Sequence, residues 1–297
     1  MSAFGGGAVY DRGYRPYEGV RGGRRAATVA LYKASMRRAL GLRRPWRQKI
    51  APFVLLAIVT IPAIVNVGVG YVTRNEVVDR VEIITYRDYV GVSSMLLLFV
   101  ALVAPDVICP DRRQRVLPLM FARPLTGIDY AVAKAGAIVT ILFAFSFLPQ
   151  VVLFVGNMLV SDSALDYFTD HLDVLWQVPL SVAILAVYYG VIGVAVSSLT
   201  DRRIVAGATV IGLFLVTSIT SGILVGDVAF HDGSPAALIN VLALPLYLRD
   251  VIFLGNIDPT SPLGGVANGG WYALAVYVVV LGGAAAVLLA RYRWVER

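Results

Sequence analysis

Six apolar stretches of about twenty residues or more dominate this sequence, each long enough to cross the roughly 30 Å hydrocarbon core of a bilayer as a helix. They run Ile50–Val72, Tyr89–Ile108, Ala131–Val160, Val174–Leu199, Ile204–Val225 and Trp271–Ala290. Lipid offers no partner for a backbone N–H or C=O, so a spanning segment must satisfy its own hydrogen bonds as a helix. Only 15% of residues are charged and mean hydropathy is +0.74. An ordinary soluble domain carries about a quarter charged residues. The expected fold class is therefore an all-α polytopic membrane protein with six transmembrane helices. Pro149 marks a bend in the long third span. Pro52 and Pro62 in the first are tolerable where neighbours satisfy the freed carbonyls.

The loops set the orientation, because basic residues are retained on the cytoplasmic side. Residues 1–49 carry 12 Lys and Arg against Asp11 and Glu18. The connection after the second span holds Arg112, Arg113, Arg115, Arg123 and Lys134, the turn after the fourth holds Arg202 and Arg203, and the tail holds Arg291, Arg293 and Arg297. The loop after the third span is acidic, with Asp162, Asp166, Asp170 and Asp173. This alternation places both termini inside (N-in/C-in). It also decides the reading of Ala236–Leu254, an apolar segment of nearly membrane length. As a seventh span it would put the arginine-rich tail outside, and Arg249-Asp250 suits lipid badly. It is expected to be an outer re-entrant hairpin between helices 5 and 6. Residues 1–26 are expected to be a disordered basic tail, 27–49 an N-terminal amphipathic interfacial helix with Val29, Tyr32, Met36, Leu40 and Arg43 on one stripe, and 50–297 the six-helix domain. No apolar run followed by a small-residue cleavage site occurs in the first 49 residues. The net charge of +7 fits contact with anionic membrane lipids, and no nucleic acid partner is expected.

Residues with catalytic chemistry are scarce. The one cysteine, Cys109, excludes an internal disulfide. The two histidines, His171 and His231, are far apart and lack metal-ligand spacing, and no HExxH, GxSxG or GxxxxGK[ST] pattern occurs. The acidic loop could line carboxylates along one face of a short helix, but a solvated surface is the better reading. We therefore expect no enzyme activity, no metal and no cofactor. Asp106, near the inner end of the second span, is the lone ionisable candidate at membrane depth. That deficit argues against a carrier powered by a buried proton or sodium site. Asn66, Gln150, Asn157, Tyr188, Tyr189 and several Ser and Thr residues are the polar positions within spans. Gly190, Gly193 and Ser197 form a small-residue face that suggests close helix packing. Thr209, Leu213, Thr217 and Thr220 share a face of the fifth span and are candidates to line a substrate pathway.

The connection between the second and third spans is the most patterned loop, reading Asp111-Arg112, Leu117, Arg123-Pro124, then Tyr130 and Lys134 opening the next helix. It resembles the corresponding loop of ABC-2 type permeases, the membrane halves of many bacterial ABC transporters. Those carry an acidic-basic pair, Gly-Thr-Leu, a leucine-rich turn ending in Arg-Pro, and a Tyr-Leu-x-x-Lys helix start. Here Arg115-Val116 stands where Gly-Thr is usual, and Pro118 where Glu is common. An apolar patch at Leu117–Phe121 beside charges suits a short helix docking into a partner's groove.

The resemblance implies a permease subunit driven by a separate ATP-binding cassette ATPase. It also implies a second permease copy or close relative, and a bacterial inner (cytoplasmic) membrane location. Under it, Asp111, Arg112, Arg113, Leu117, Phe121, Arg123 and Pro124 would couple to the ATPase, with Asp201, Arg202 and Arg203 as a smaller second contact. An uncharged pathway suits export of an amphiphilic or hydrophobic substrate better than ions. The alternative is a non-transporting membrane scaffold or assembly factor.

Overall fold

The computed structural model describes residues 22–42, 46–73, 85–90, 93–121, 125–228 and 233–296. Among these every regular element is helical. In chain order the α-helices are α1 (Arg24–Ala39), α2 (Trp46–Thr73), α3 (Tyr86–Val90), α4 (Ser93–Arg113), α5 (Leu117–Phe121) and α6 (Gly127–Val160). Then come α7 (Ala164–Asp170), α8 (Val174–Ser197), α9 (Arg203–Ile223), α10 (Leu244–Leu254) and α11 (Gly269–Glu296). Six helices are long and apolar enough to cross a membrane, so the chain is built as a multi-pass membrane protein. They are α2, the α3–α4 stretch, α6, α8, α9 and α11. α6 continues through Pro149, which is buried within it.

α4 and α8 form the middle of the bundle and are its most buried spans, while α2, α9 and α11 line the outside. Lipid tails are as apolar as leucine, so burial of apolar surface does little to hold such helices together. Close packing and hydrogen bonds must do so. The expected small-residue face of α8 serves that purpose: Gly190, Gly193 and Ser197 are all buried. A Cβ on Gly193 would lie 2.2 Å from Val100 Cγ1 of α4. On the other side of α4, a Cβ on Gly207 of α9 would lie 2.7 Å from the carbonyl oxygen of Ala101. α4 is thus gripped at consecutive residues by two glycines.

The segment 236–254 holds no helix long enough to cross a membrane. A 3-10 turn covers Pro235–Ile239, the chain turns through 241–243, and α10 follows. At 11 residues α10 is about 16 Å long, half a bilayer core. A break inside a membrane protein exposes carbonyls, and here they are met. Tyr188 OH donates to Val241 O (3.0 Å) and Tyr189 OH to Leu242 O (2.8 Å). Asn240 Oδ1 accepts from the amides of Leu242 and Ala243 (both 3.2 Å). Ser221 Oγ donates to Ala236 O at 3.2 Å. The Arg249-Asp250 pair is buried in protein and not in lipid. Arg249 Nη2 lies 2.6 Å from Asp250 Oδ1, and Nη1 donates to Arg87 O at 3.1 Å. Arg87 in turn pairs with Asp250 (2.9 Å) and with Asp258. This mesh ties α3, α10 and the 255–268 loop together at one end of the bundle.

α1 differs from the expected stripe. Its inward face is centred on Ser35 and Ala39, both buried, while Val29 is half exposed and Arg43 lies outside the described residues. The helix rests against α6 through polar anchors. Tyr32 OH donates to Thr140 Oγ1 at 2.8 Å. Arg24 forks onto Asp129 (2.6 and 3.0 Å), the residue that closes a capping box with Thr126 at the start of α6. The tail 1–21 lies outside the described residues, as does the connection 74–84.

Candidate functional site

The residues expected to meet a motor gather at the end of the bundle that holds α5. The last turn of α4 carries Asp111, Arg112 and Arg113, and the α8–α9 turn carries Asp201, Arg202 and Arg203. Arg112 Nη1 donates to Ser198 O, which joins the two segments directly. Arg203 pairs with Asp106 of α4 at 2.6 Å, so the ionisable residue noted at membrane depth has its countercharge on α9. Arg123 and Pro124 lie outside the described residues.

α4 ends in a left-handed cap. Val116 N donates to Asp111 O (3.1 Å) and Arg115 N to Arg112 O (3.0 Å), the paired bonds of a Schellman motif. The motif needs positive φ at its cap residue, and Arg115 has φ 51°. A side chain there costs about 1 kcal/mol relative to glycine. α5 then starts at once. Pro118 falls in its first turn, where no intrahelical N–H is required, so the helix tolerates it.

Three of the expected contact residues prove to be internal. Asp111 is completely buried. Its Oδ2 lies 2.6 Å from Lys134 Nζ and accepts from Tyr130 OH at 3.0 Å, and its Oδ1 pairs with Arg38 of α1. Lys134, itself 2% exposed, also donates to Val107 O at 3.0 Å. Such a carboxylate cannot touch a second protein. It binds α1, α4 and α6 to one another, and two cations with a phenol satisfy a charge that would be costly alone. Leu117 is buried as well, and Phe121 is half-buried with its ring edge-on to Tyr130 at 6.1 Å. Leu117 and Phe121 of the expected apolar docking patch therefore face the bundle, while Pro118 is exposed. Among the described residues this end presents Arg113, Gln114, Arg115 and Pro118 outward, beside Asp201, Arg202 and Arg203. Lys134 and Arg38 were missed as partners of Asp111. The available signal was Lys134 one helical turn after Tyr130, deep in an apolar stretch.

On α9 the inward residues are Ala206, Val210, Phe214 and Ser221. Thr209, Leu213 and Thr220 are exposed and Thr217 is half-buried. Thr209 Oγ1 donates to Val205 O (2.8 Å) and Thr217 Oγ1 to Leu213 O (3.0 Å). These two hydroxyls are spent on their own helix, which leaves a face compatible with lipid or with another apolar surface.

The acidic segment forms α7, with Ser163 as its N-cap and Asp162, Asp166, Asp170 and Asp173 all exposed. Among the described residues no three His, Cys, Asp or Glu side chains come together to hold a metal ion. Compared with known proteins, the sequence matches no family model and no curated protein.

Proposed function

We propose that this chain is the permease subunit of a bacterial ABC transporter of the ABC-2 type, seated in the inner membrane with both termini in the cytoplasm. It works with a second permease copy or close relative and is driven by a separate ATP-binding cassette ATPase. The basic loops supply the orientation. α1 then lies at the cytoplasmic headgroups and 235–254 on the outer side. The observation that carries the reading is the meeting, at one end of the bundle, of α4's last turn, α5 and the 201–203 turn, linked by Arg112. The left-handed Arg115 adds to it, because it occupies the position where the resembling family has glycine.

In this reading the motor touches Arg113, Arg115, Pro118, Asp201 and Arg202, all exposed, while Asp111 is a positioning residue behind them. A push on α5 reaches α6 through Phe121 and Tyr130, and α4 through the cap at Arg115. The face of α9 that carries Thr209, Leu213, Thr217 and Thr220 lines the contact with the second permease. An uncharged face of this kind suits export of an amphiphilic substrate.

The test is co-expression with an ATP-binding cassette ATPase from the same genome. The two should co-purify, and the double variant Arg113→Glu/Arg202→Glu should lose the ATPase while the permease still inserts and stays monodisperse. A wild-type chain that never retains such an ATPase removes the transporter reading in favour of a scaffold.

A further inference from the structure

Gln150 is one of two amides in the long apolar run of α6, the other being Asn157, and it is 2% exposed. Its Nε2 donates to Tyr86 O at 3.3 Å. A carbonyl only accepts, so this bond fixes which end of the amide is which. Among the described residues Oε1 is buried with no hydrogen-bond partner. A buried acceptor in that condition is costly and calls for a donor.

Gln150 is one of the residues that line a cleft of about 210 Å³ between the second half of α6 and the start of α8, with Phe147, Val151, Phe154, Leu175 and Val178. A second cavity of about 320 Å³ shares Val174 with it as a wall residue and is bounded by Thr85, Arg87, Asp88 and Gln177. Together they make an apolar slot with a polar chamber at its end, at the end of the bundle away from α5. Val151 and Leu175 are 41% and 46% exposed on two bilayer-crossing helices, so the slot opens sideways toward acyl chains. The charges around the chamber narrow the occupant. Arg87 is already shared between Asp250 and Asp258. Asp88 is exposed, as are Asp166, Asp170 and Asp173 of the neighbouring acidic segment. An anionic headgroup would meet a surplus of carboxylates.

We propose that these joined cavities bind one neutral, hydroxyl-headed amphiphile drawn from the bilayer. Its hydroxyl donates to Gln150 Oε1, its polar remainder occupies the chamber beside Arg87 and Asp88, and its chain lies against Phe147 and Val151. The site does not depend on the motor reading, since it lies at the opposite end of the bundle and can be assayed without an ATPase.

The probe is a monoacylglycerol with a diazirine in its acyl chain, photolysed with the purified full chain and mapped by peptide mass spectrometry. Adducts should concentrate in 147–154 and 174–178, and the fatty acid of the same chain should label these peptides less. Gln150→Leu should lower monoacylglycerol labelling there about fivefold, the value of one net hydrogen bond. Val151→Trp fills the slot from its exposed wall without touching the Gln150–Tyr86 bond, and should remove the labelling. Adducts as dense on the outer faces of α2 and α11 as in the cleft overturn the proposal. So does labelling that is undiminished in either variant.

Discussion

The two ends of the bundle both bury charge, and they do it differently. At the α5 end a single carboxylate, Asp111, is a hub: Lys134, Arg38 and Tyr130 converge on it from two other helices. At the far end Arg87, Arg249, Asp250 and Asp258 form a mesh in which each ion has a second partner. A hub concentrates the cost of failure in one residue, whereas a mesh spreads it. The hub also has a geometric effect. Because Asp111 consumes Lys134 and Arg38 internally, the cations left outward at the α4 and α9 ends among the described residues are Arg113, Arg115, Arg202 and Arg203.

Breaking the hub should be the most damaging change. Asp111→Ala leaves Lys134 buried without its carboxylate and should cost about 3–5 kcal/mol, read as a fall in thermal midpoint in detergent. The double replacement Asp111→Leu/Lys134→Met removes both charges and should recover much of that loss. If the single variant were as stable as wild type, the hub would carry no load.

The mesh should be more forgiving. Arg87→Leu should cost about 2 kcal/mol, the worth of its charged hydrogen bonds, because Asp250 keeps Arg249 and Asp258 keeps Thr260. A loss equal to that of Asp111→Ala would erase the distinction between the two ends. At the α4 cap the sign reverses. Arg115→Gly should raise stability by about 0.5–1 kcal/mol, since glycine takes the left-handed conformation freely.

Acid should separate the ends too. The Thr260 hydroxyl first, and then Arg87, hold the Asp258 carboxyl well below the usual carboxylate range. A depressed folded value means that the contribution is complete above the unfolded pKa of about 3.9 and is lost as pH falls through the lower folded value. A nitroxide at exposed Ala267 should gain mobility only below about pH 4, near that unfolded pKa, and in Asp258→Asn its mobility should not change with pH. The smallest effect on stability belongs to Arg113→Glu. That exposed substitution should stay within about 0.5 kcal/mol of wild type, while removing the ATPase if the proposed docking is right.

The spans were readable because length and apolarity are local. Each predicted stretch matches its helix to within a few residues, apart from the second, which starts earlier at Tyr86 and runs on to Arg113. The charge pattern also predicted that 236–254 would not be a seventh crossing. Its reason was incomplete. Arg249 and Asp250 looked unfit for lipid, yet they are buried against Arg87, more than 160 positions earlier in the chain. Long-range pairing of that kind leaves no periodic trace. The same holds for Asp111: an Asp-Arg pair at a loop edge reads as surface, and nothing local reveals that Lys134 and Arg38 close over it. Leu117 and Phe121 show a further limit. Five residues of apolar helix can dock on a partner or fold back on Tyr130, and composition does not choose between them.

The tyrosine pair of α8 also bears on how the chain is made. Val241 and Leu242 follow their hydroxyl donors by 53 residues. Synthesis runs from the N-terminus, so Tyr188 and Tyr189 leave the ribosome well before the break that needs them. The broken segment therefore emerges to find its donors already synthesised. Reordering the helices so that α8 came last would send those two carbonyls toward the bilayer with nothing yet made to receive them.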